Sequence, residues 1–226
     1  YGLHAVLWAA INLAENIFDL GMTSALQRTV PRSADDAEAA IALRTALLLG
    51  VGPCLIIAII VAAAAPQLAP LVNVAAADAD RVVPAIQLFI WALPLWAFVE
   101  IATSALRARM LFGAEIRLRI FWEQLIRLAL AAMLFAAGWG LMSLFAAHLA
   151  SLAITAALSV RLLARHYDLR LMLRSGWPSV ARDTALAGLS VLPSNLVARL
   201  YGDAPTLLLN QMLPGAAGAA AGGLFT

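Results

Sequence analysis

The chain has 226 residues, 63% of them hydrophobic and only 12% charged, with a mean hydropathy of +0.89. A soluble domain carries roughly 25% charged residues, so the composition excludes one and marks a membrane protein. The net charge of +2 comes from 15 arginines with no lysine, and the single cysteine, Cys54, excludes an internal disulfide or a cysteine-rich metal site.

A bilayer core of about 30 Å takes about 20 apolar residues as a helix. Six stretches meet that length, at about 3–22, 39–65, 83–106, 116–137, 139–163 and 184–209. The sequence therefore predicts an all-α integral membrane protein with about six transmembrane helices. It opens at Tyr1 without a charged segment ahead of a short apolar core, so no signal peptide is expected and a piece of a longer protein is.

The first stretch contains INLAENIFDLG, residues 11–21, in which Asn12, Glu15, Asn16 and Asp19 recur at helical spacing and share one face. Lipid on that face would be costly for each of them. In the connection that follows, Ser33 with Asp36 three residues on predicts a capping box at a helix start. Pro53, Pro94 and Pro193 fall within the second, third and sixth stretches and predict kinks. Glu100 lies below Pro94 in the third. Cys54 reads as a small buried hydrophobe.

Glu115, Arg119, Glu123 and Arg127 form a ladder of alternating sign at i, i+4 along the fourth stretch. His148 in the fifth reads as a core histidine. Between the fifth and sixth, residues 164–183 alternate arginine with leucine and include Trp177, which fits either a segment lying on the membrane surface or a solvated linker. The sixth stretch places Asn195, Arg199 and Asp203 on one face, with Ser194 beside them.

Arginine placement predicts the orientation. With the chain starting outside, the inward segments hold Arg28, Arg32, Arg44, Arg107, Arg109, Arg117, Arg119, Arg161, Arg165, Arg170, Arg174 and Arg182, and the outward loops hold Arg81 alone. Asn12, Glu123, Arg127, Asn195 and Arg199 then fall near one depth, with Glu15 and Glu100 somewhat inward. Ion pairs fixing helix register explain single pairs among these. A shared water-filled cavity for a polar or anionic substrate explains the set, with Asn12, Glu15, Asn16, Asp19, Glu123, Arg127, Asn195 and Arg199 lining it and Glu15, Glu100 and Glu123 able to take up a coupling proton or Na⁺. His4, His148 and His166 have no metal-ligand spacing, Asp78 and Asp80 form only a short carboxylate pair in a loop, and nothing points to a metal, a cofactor or a nucleic acid.

YGLHAVLWAAINLAENIFDLGMTSALQR resembles the second-helix region of bacterial polysaccharide transporters, through Tyr1-Gly2-Leu3, Asp19-Leu20-Gly21 and Gln27-Arg28. ARLYGDAPTLLLNQMLPGAAGAAAGGLFT resembles the seventh helix and the loop after it, through Asp203, Leu207 to Leu209 and the glycines from Gly215 to Gly223. The resemblance is to the polysaccharide flippases of the multidrug/oligosaccharidyl-lipid/polysaccharide exporter superfamily. It implies a two-lobed transporter of 12 to 14 helices, of which this chain would hold helices 2 to 7: residues 1–182 as a first lobe without its first helix, and 183–226 as the start of the second. GLHA at 2–5 and GLFT at 223–226 would be equivalent points of the two lobes. The implied activity is transport, not catalysis: moving undecaprenyl-pyrophosphate-linked oligosaccharide across the bacterial inner membrane. The implied partners are that lipid-linked oligosaccharide, the surrounding lipids and a coupling H⁺ or Na⁺. A cation-coupled multidrug or small-solute exporter, a membrane enzyme acting on lipid-linked sugars, and a structural subunit are the alternatives.

Overall fold

The computed structural model describes residues 2–72, 74, 79–140, 142–174 and 179–213. Among them there is no strand. The helices are α1 (Gly2–Phe18), α2 (Met22–Thr29), α3 (Asp36–Ala46), α4 (Gly52–Ala63), α5 (Ala65–Leu68), α6 (Ala79–Phe89), α7 (Ala92–Ala108), α8 (Phe112–Glu115), α9 (Glu123–Ala136), α10 (Met142–His166), α11 (Leu169–Arg174) and α12 (Ser179–Met212). Two π-helical segments join neighbours: Leu47–Val51 links α3 to α4, and Ile116–Trp122 leads from α8 into α9. Asp36–Ala63, Ala79–Ala108 and Met142–His166 are long and apolar enough to cross a membrane, and Leu3–Phe18 is a shorter apolar helix. The protein is thus an all-α membrane protein, as its composition requires.

The prolines act differently from simple kinks. Pro53 would press on the carbonyl of Leu49 in an α-helix, and the wider turn of the Leu47–Val51 segment precedes it. Pro94 lies in the first turn of α7, and the interruption falls ahead of it, at Ile90–Trp91. Pro94 has no N–H for the Ile90 carbonyl, which accepts from Leu93 N at 3.0 Å instead. Across Pro193, α12 continues without a break.

The first stretch is not one helix to residue 22. It stops at Phe18, turns through Leu20 (φ 52°) and Gly21 (φ 72°), and restarts as α2. The start of α3 also departs from the prediction. Asp35, not Ser33, is its cap: Asp35 Oδ1 accepts from Glu38 N at 2.8 Å, and Glu38 Oε2 accepts from Ala34 N at 2.8 Å. Ser33 instead donates to the Thr29 carbonyl. The reciprocal acid–amide pattern is that of a capping box, moved two residues along.

Two apolar clusters hold the helices together. One joins α2, α3, α7 and α10 through Met22, Leu26, Leu43, Ile101, Leu106 and Leu163. The other joins α1, α4, α6, α7 and α10 through Leu3, Cys54, Phe89, Leu93, Phe145 and Leu152. Cys54 is fully buried there, as expected of it. Small residues carry the closest approaches, as membrane helix contacts require. α12 packs along α1, α2 and α3, and a Cβ at Gly188 would lie 2.7 Å from the Leu20 carbonyl oxygen. Leu55, Ile56, Ile59 and Ile60 of α4 and Leu125, Leu128 and Phe135 of α9 point outward, where hydrocarbon is their natural solvent. After α10, α11 lies against α3, and Arg44 Nη1 donates to the Met172 carbonyl at 2.9 Å, so part of 164–183 is neither free linker nor solitary surface helix. Trp177, Asp78 and the glycines from 215 to 223 lie outside the described residues.

Candidate functional site

The polar face of α1 turns inward. Glu15 and Asp19 are each 4% exposed, with Asn12 and Asn16 half-buried. Asn16 Nδ2 donates to Glu15 Oε2 at 3.1 Å and to the Asn12 carbonyl at 2.8 Å, so one amide links Asn12 and Glu15 of the stripe. Asp19 sits at the break. Its Oδ2 accepts from Thr23 N at 3.4 Å and from Thr23 Oγ1 at 3.2 Å, which satisfies donors at the start of α2. Its Oδ1 is buried without a hydrogen-bond partner and faces Gly50 of the first π segment, where a Cβ would stand 3.0 Å away. Asp19 therefore serves the broken helix as well as facing the interior. Below it, Ser104 of α7 donates to the Thr23 carbonyl at 2.6 Å and accepts from Gln27 Nε2 at 3.2 Å.

The charged ladder divides into two pairs. Glu123, 1% exposed, pairs with Arg127 one turn along α9. Arg119 does not continue the ladder: its Nη2 reaches Glu100 Oε1 of α7 at 2.6 Å. The π segment before α9 has more residues per turn than an α-helix, so Arg119 faces α7. The Arg119 guanidinium also lies 4.8 Å over the Trp96 ring, and Trp96 meets Trp8 of α1 edge-on at 5.0 Å. Glu123 Oε2 and Arg127 Nε are buried and have no hydrogen-bond partner. The side chain of Glu115 lies outside the described ones.

Sequence reading missed one constellation. His4 Nε2 and His148 Nδ1 are 3.3 Å apart, joining α1 to α10. Phe89, Phe145 and Trp8 surround the pair, with ring centroids 4.4–5.4 Å away. Arg127 is within electrostatic range of both rings. The two histidines are 144 positions apart, and no local pattern links them. The reading of His148 as a buried core histidine holds, and its partner is the addition.

On α12, Asn195 is half-buried, while the side chains of Arg199 and Asp203 lie outside the described ones. Nearer the other end of α12 a cavity of about 580 Å³ opens towards α2, lined by Arg28, Arg32, Ser33, Ser179, Asp183 and Ser190 among others. Arg28 Nη1 approaches Ser190 Oγ at 3.5 Å across it.

The described residues thus put polar groups into the interior from several helices: Asn12, Glu15 and Asn16 on α1 with Asp19 just past its end, Glu100 on α7, and Glu123 and Arg127 on α9. Such an interior offers guanidinium donors for anionic oxygens, carboxylates that can exchange a proton or hold a cation, and amides suited to hydroxyl groups. The family model described as "Polysaccharide biosynthesis protein" matches the chain over residues 1–226. No curated protein and no solved structure matches it.

Proposed function

The chain belongs to the polysaccharide biosynthesis protein family, and on that premise we propose that it acts in polysaccharide and cell-envelope biosynthesis as a flippase for lipid-linked oligosaccharide. In this reading it resides in the bacterial inner membrane, takes undecaprenyl-pyrophosphate-linked oligosaccharide from the inner leaflet and releases it at the outer one by alternating access. It belongs to the first lobe of a two-lobed transporter up to about residue 182, and residues 183–226 begin the second.

The observation that carries this reading is the set of buried and half-buried groups of both charges spread over several helices: Glu15 on α1, Asp19 just past its end, Glu100 on α7, Arg119 before α9, and Glu123 and Arg127 on α9. A purely structural pair has no need of three helices with amide companions. Arg127 would take pyrophosphate oxygens, with Arg199 as its counterpart on α12. Asn12, Asn16 and Asn195 would bond sugar hydroxyls. Glu15, Glu100 and Glu123 are the carboxylates able to exchange a coupling H⁺ or Na⁺, with Asp19 beside them. The cavity at Arg28 and Arg32 would receive the anionic headgroup from the inner leaflet, where arginine attracts it. The presence of guanidinium groups disfavours a site built for cationic drugs.

Deleting the gene tests the proposal. Lipid-linked oligosaccharide should accumulate on the inner leaflet, and the wild-type gene should reverse this while an Arg127→Ala/Arg199→Ala double variant should not. Unchanged lipid-linked oligosaccharide together with altered sensitivity to cationic drugs would move the protein to the multidrug branch.

A further inference from the structure

A pocket of about 360 Å³ lies between α7 and the π segment before α9, lined by Trp96, Arg119, Ile120, Glu123 and Gln124. That is within the size range of small-molecule sites, about 300–1,000 Å³. Its walls are fixed before any ligand arrives. Glu100 holds Arg119 at 2.6 Å, Arg119 lies over the Trp96 ring, and Trp8 braces Trp96 edge-on. Such bracing lowers the ordering cost of binding.

One polar group in this wall is incomplete. Glu123 is 1% exposed, and its Oε1 is engaged by Arg127, but its buried Oε2 has no donor. That oxygen is closed to solvent, so the polar groups open to a ligand here are those of Arg119 and Gln124. The rest of the lining narrows the ligand. Arg119 only donates, the exposed Gln124 amide does both, and Trp96 with Ile120 gives an apolar wall. A lone anion would be disfavoured by Glu123, and a bulky organic cation by Arg119 and Arg127. A hydrocarbon tail would take water from Arg119 and Gln124 and bond to neither. A sugar ring fits: its hydroxyls donate and accept around the rim, and its C–H face is apolar.

We propose that this pocket is a sugar subsite, in which Gln124 and Arg119 bond hydroxyls and Trp96 with Ile120 supports the ring. It rests on the flippase reading and adds where the glycan is held, apart from the phosphates.

The test compares two probes on the whole purified gene product: undecaprenyl pyrophosphate carrying one sugar, and bare undecaprenyl pyrophosphate. Wild-type protein should bind the sugar-bearing probe more tightly. Trp96→Leu and Gln124→Ala should each weaken that probe about tenfold, the loss of one ring or hydrogen-bond contact, and leave the bare probe unchanged. Equal wild-type affinity for the two probes, or equal weakening of both by the substitutions, would overturn the sugar subsite and leave the flippase reading standing. Wild-type protein that binds neither probe would remove the flippase reading and the subsite with it. Should Trp96→Leu fail to fold, Gln124→Ala, an exposed position, decides the matter alone.

Discussion

Glu100 on α7 and Arg119 in the π segment before α9 are joined at 2.6 Å, each with a side chain only 18% exposed. This pair links α7 to the turn that presents Glu123 and Arg127, and it holds the guanidinium that lies over Trp96.

Removing one member leaves the other charge buried, so Glu100→Ala or Arg119→Ala should each cost about 3 kcal/mol of stability. The double replacement Glu100→Gln/Arg119→Met should recover most of that loss, because no charge then remains. Unfolding of the detergent-solubilised protein by increasing dodecyl sulfate measures all three. Additive losses in the double variant would show that the two residues act separately.

Gly188 on α12 tolerates no side chain. Its Cβ would lie 2.7 Å from the Leu20 carbonyl oxygen and also strike Met22, and the backbone of a turn cannot yield as a flexible side chain can. Gly188→Ala should lower stability by about 1–3 kcal/mol. Gly113→Ala is the control, since the nearest neighbour of its Cβ is the flexible Arg117 guanidinium at 3.8 Å. It should be neutral or gain up to about 1 kcal/mol from helix propensity.

At the start of α3, Asp35→Ala should cost about 1 kcal/mol, because Glu38 N loses its acceptor. Ser33→Ala should stay within about 0.5 kcal/mol of wild type. Thermal unfolding of the two variants side by side separates the cap seen here from the one expected from the motif; a larger loss at Ser33 would reverse the assignment.

Tyr167, just beyond the span that ends at His166, is 3% exposed and donates to the Ala105 carbonyl at 2.8 Å. Burial raises its pKa above the ordinary tyrosine value, and the Arg109 guanidinium, 4.2 Å over the ring, opposes part of that rise. The unfolded chain therefore loses this proton at lower pH than the folded one. The contribution to stability is fully present below the ordinary tyrosine pKa of about 10 and is lost as pH climbs above it. In an alkaline titration followed by tyrosinate absorbance, Tyr167→Phe should remove the latest-rising step. If the step that disappears is an early one, Tyr167 is not buried as described.

Much of the architecture was legible because lipid imposes a simple rule: a long apolar run must be a helix with its backbone bonds closed on itself. The inward turn of Glu15 and Asp19 was legible for the same reason, since a carboxylate facing hydrocarbon has no compensation. The helix break after Phe18 was harder to read. Gly21 signals a left-handed residue, but Leu20 at φ 52° carries no such mark, and the Gly188 backbone that packs against this turn comes from a distant part of the chain. The Glu100–Arg119 and His4–His148 contacts were out of reach, because i, i+4 spacing predicts neighbours on one helix and is silent about the helix opposite. Pro94 misled by its position: the carbonyl it frees lies four residues earlier, and the interruption moves there.

The Leu47–Val51 turn sets where the chain can change its length. It holds one residue more than an α-helical path would need, so the residues before and after it already keep the orientation of a helix one residue shorter. Deleting Leu48 or Leu49 would leave Ala39 to Ala46 and Cys54 to Ala58 facing the same neighbours. What disappears is the bulge that carries Gly50 to Asp19. A one-residue deletion, ruinous at most places in a packed helix, would act here as a local edit: the scaffold survives, and the carboxylate at the broken helix finds itself in a different pocket.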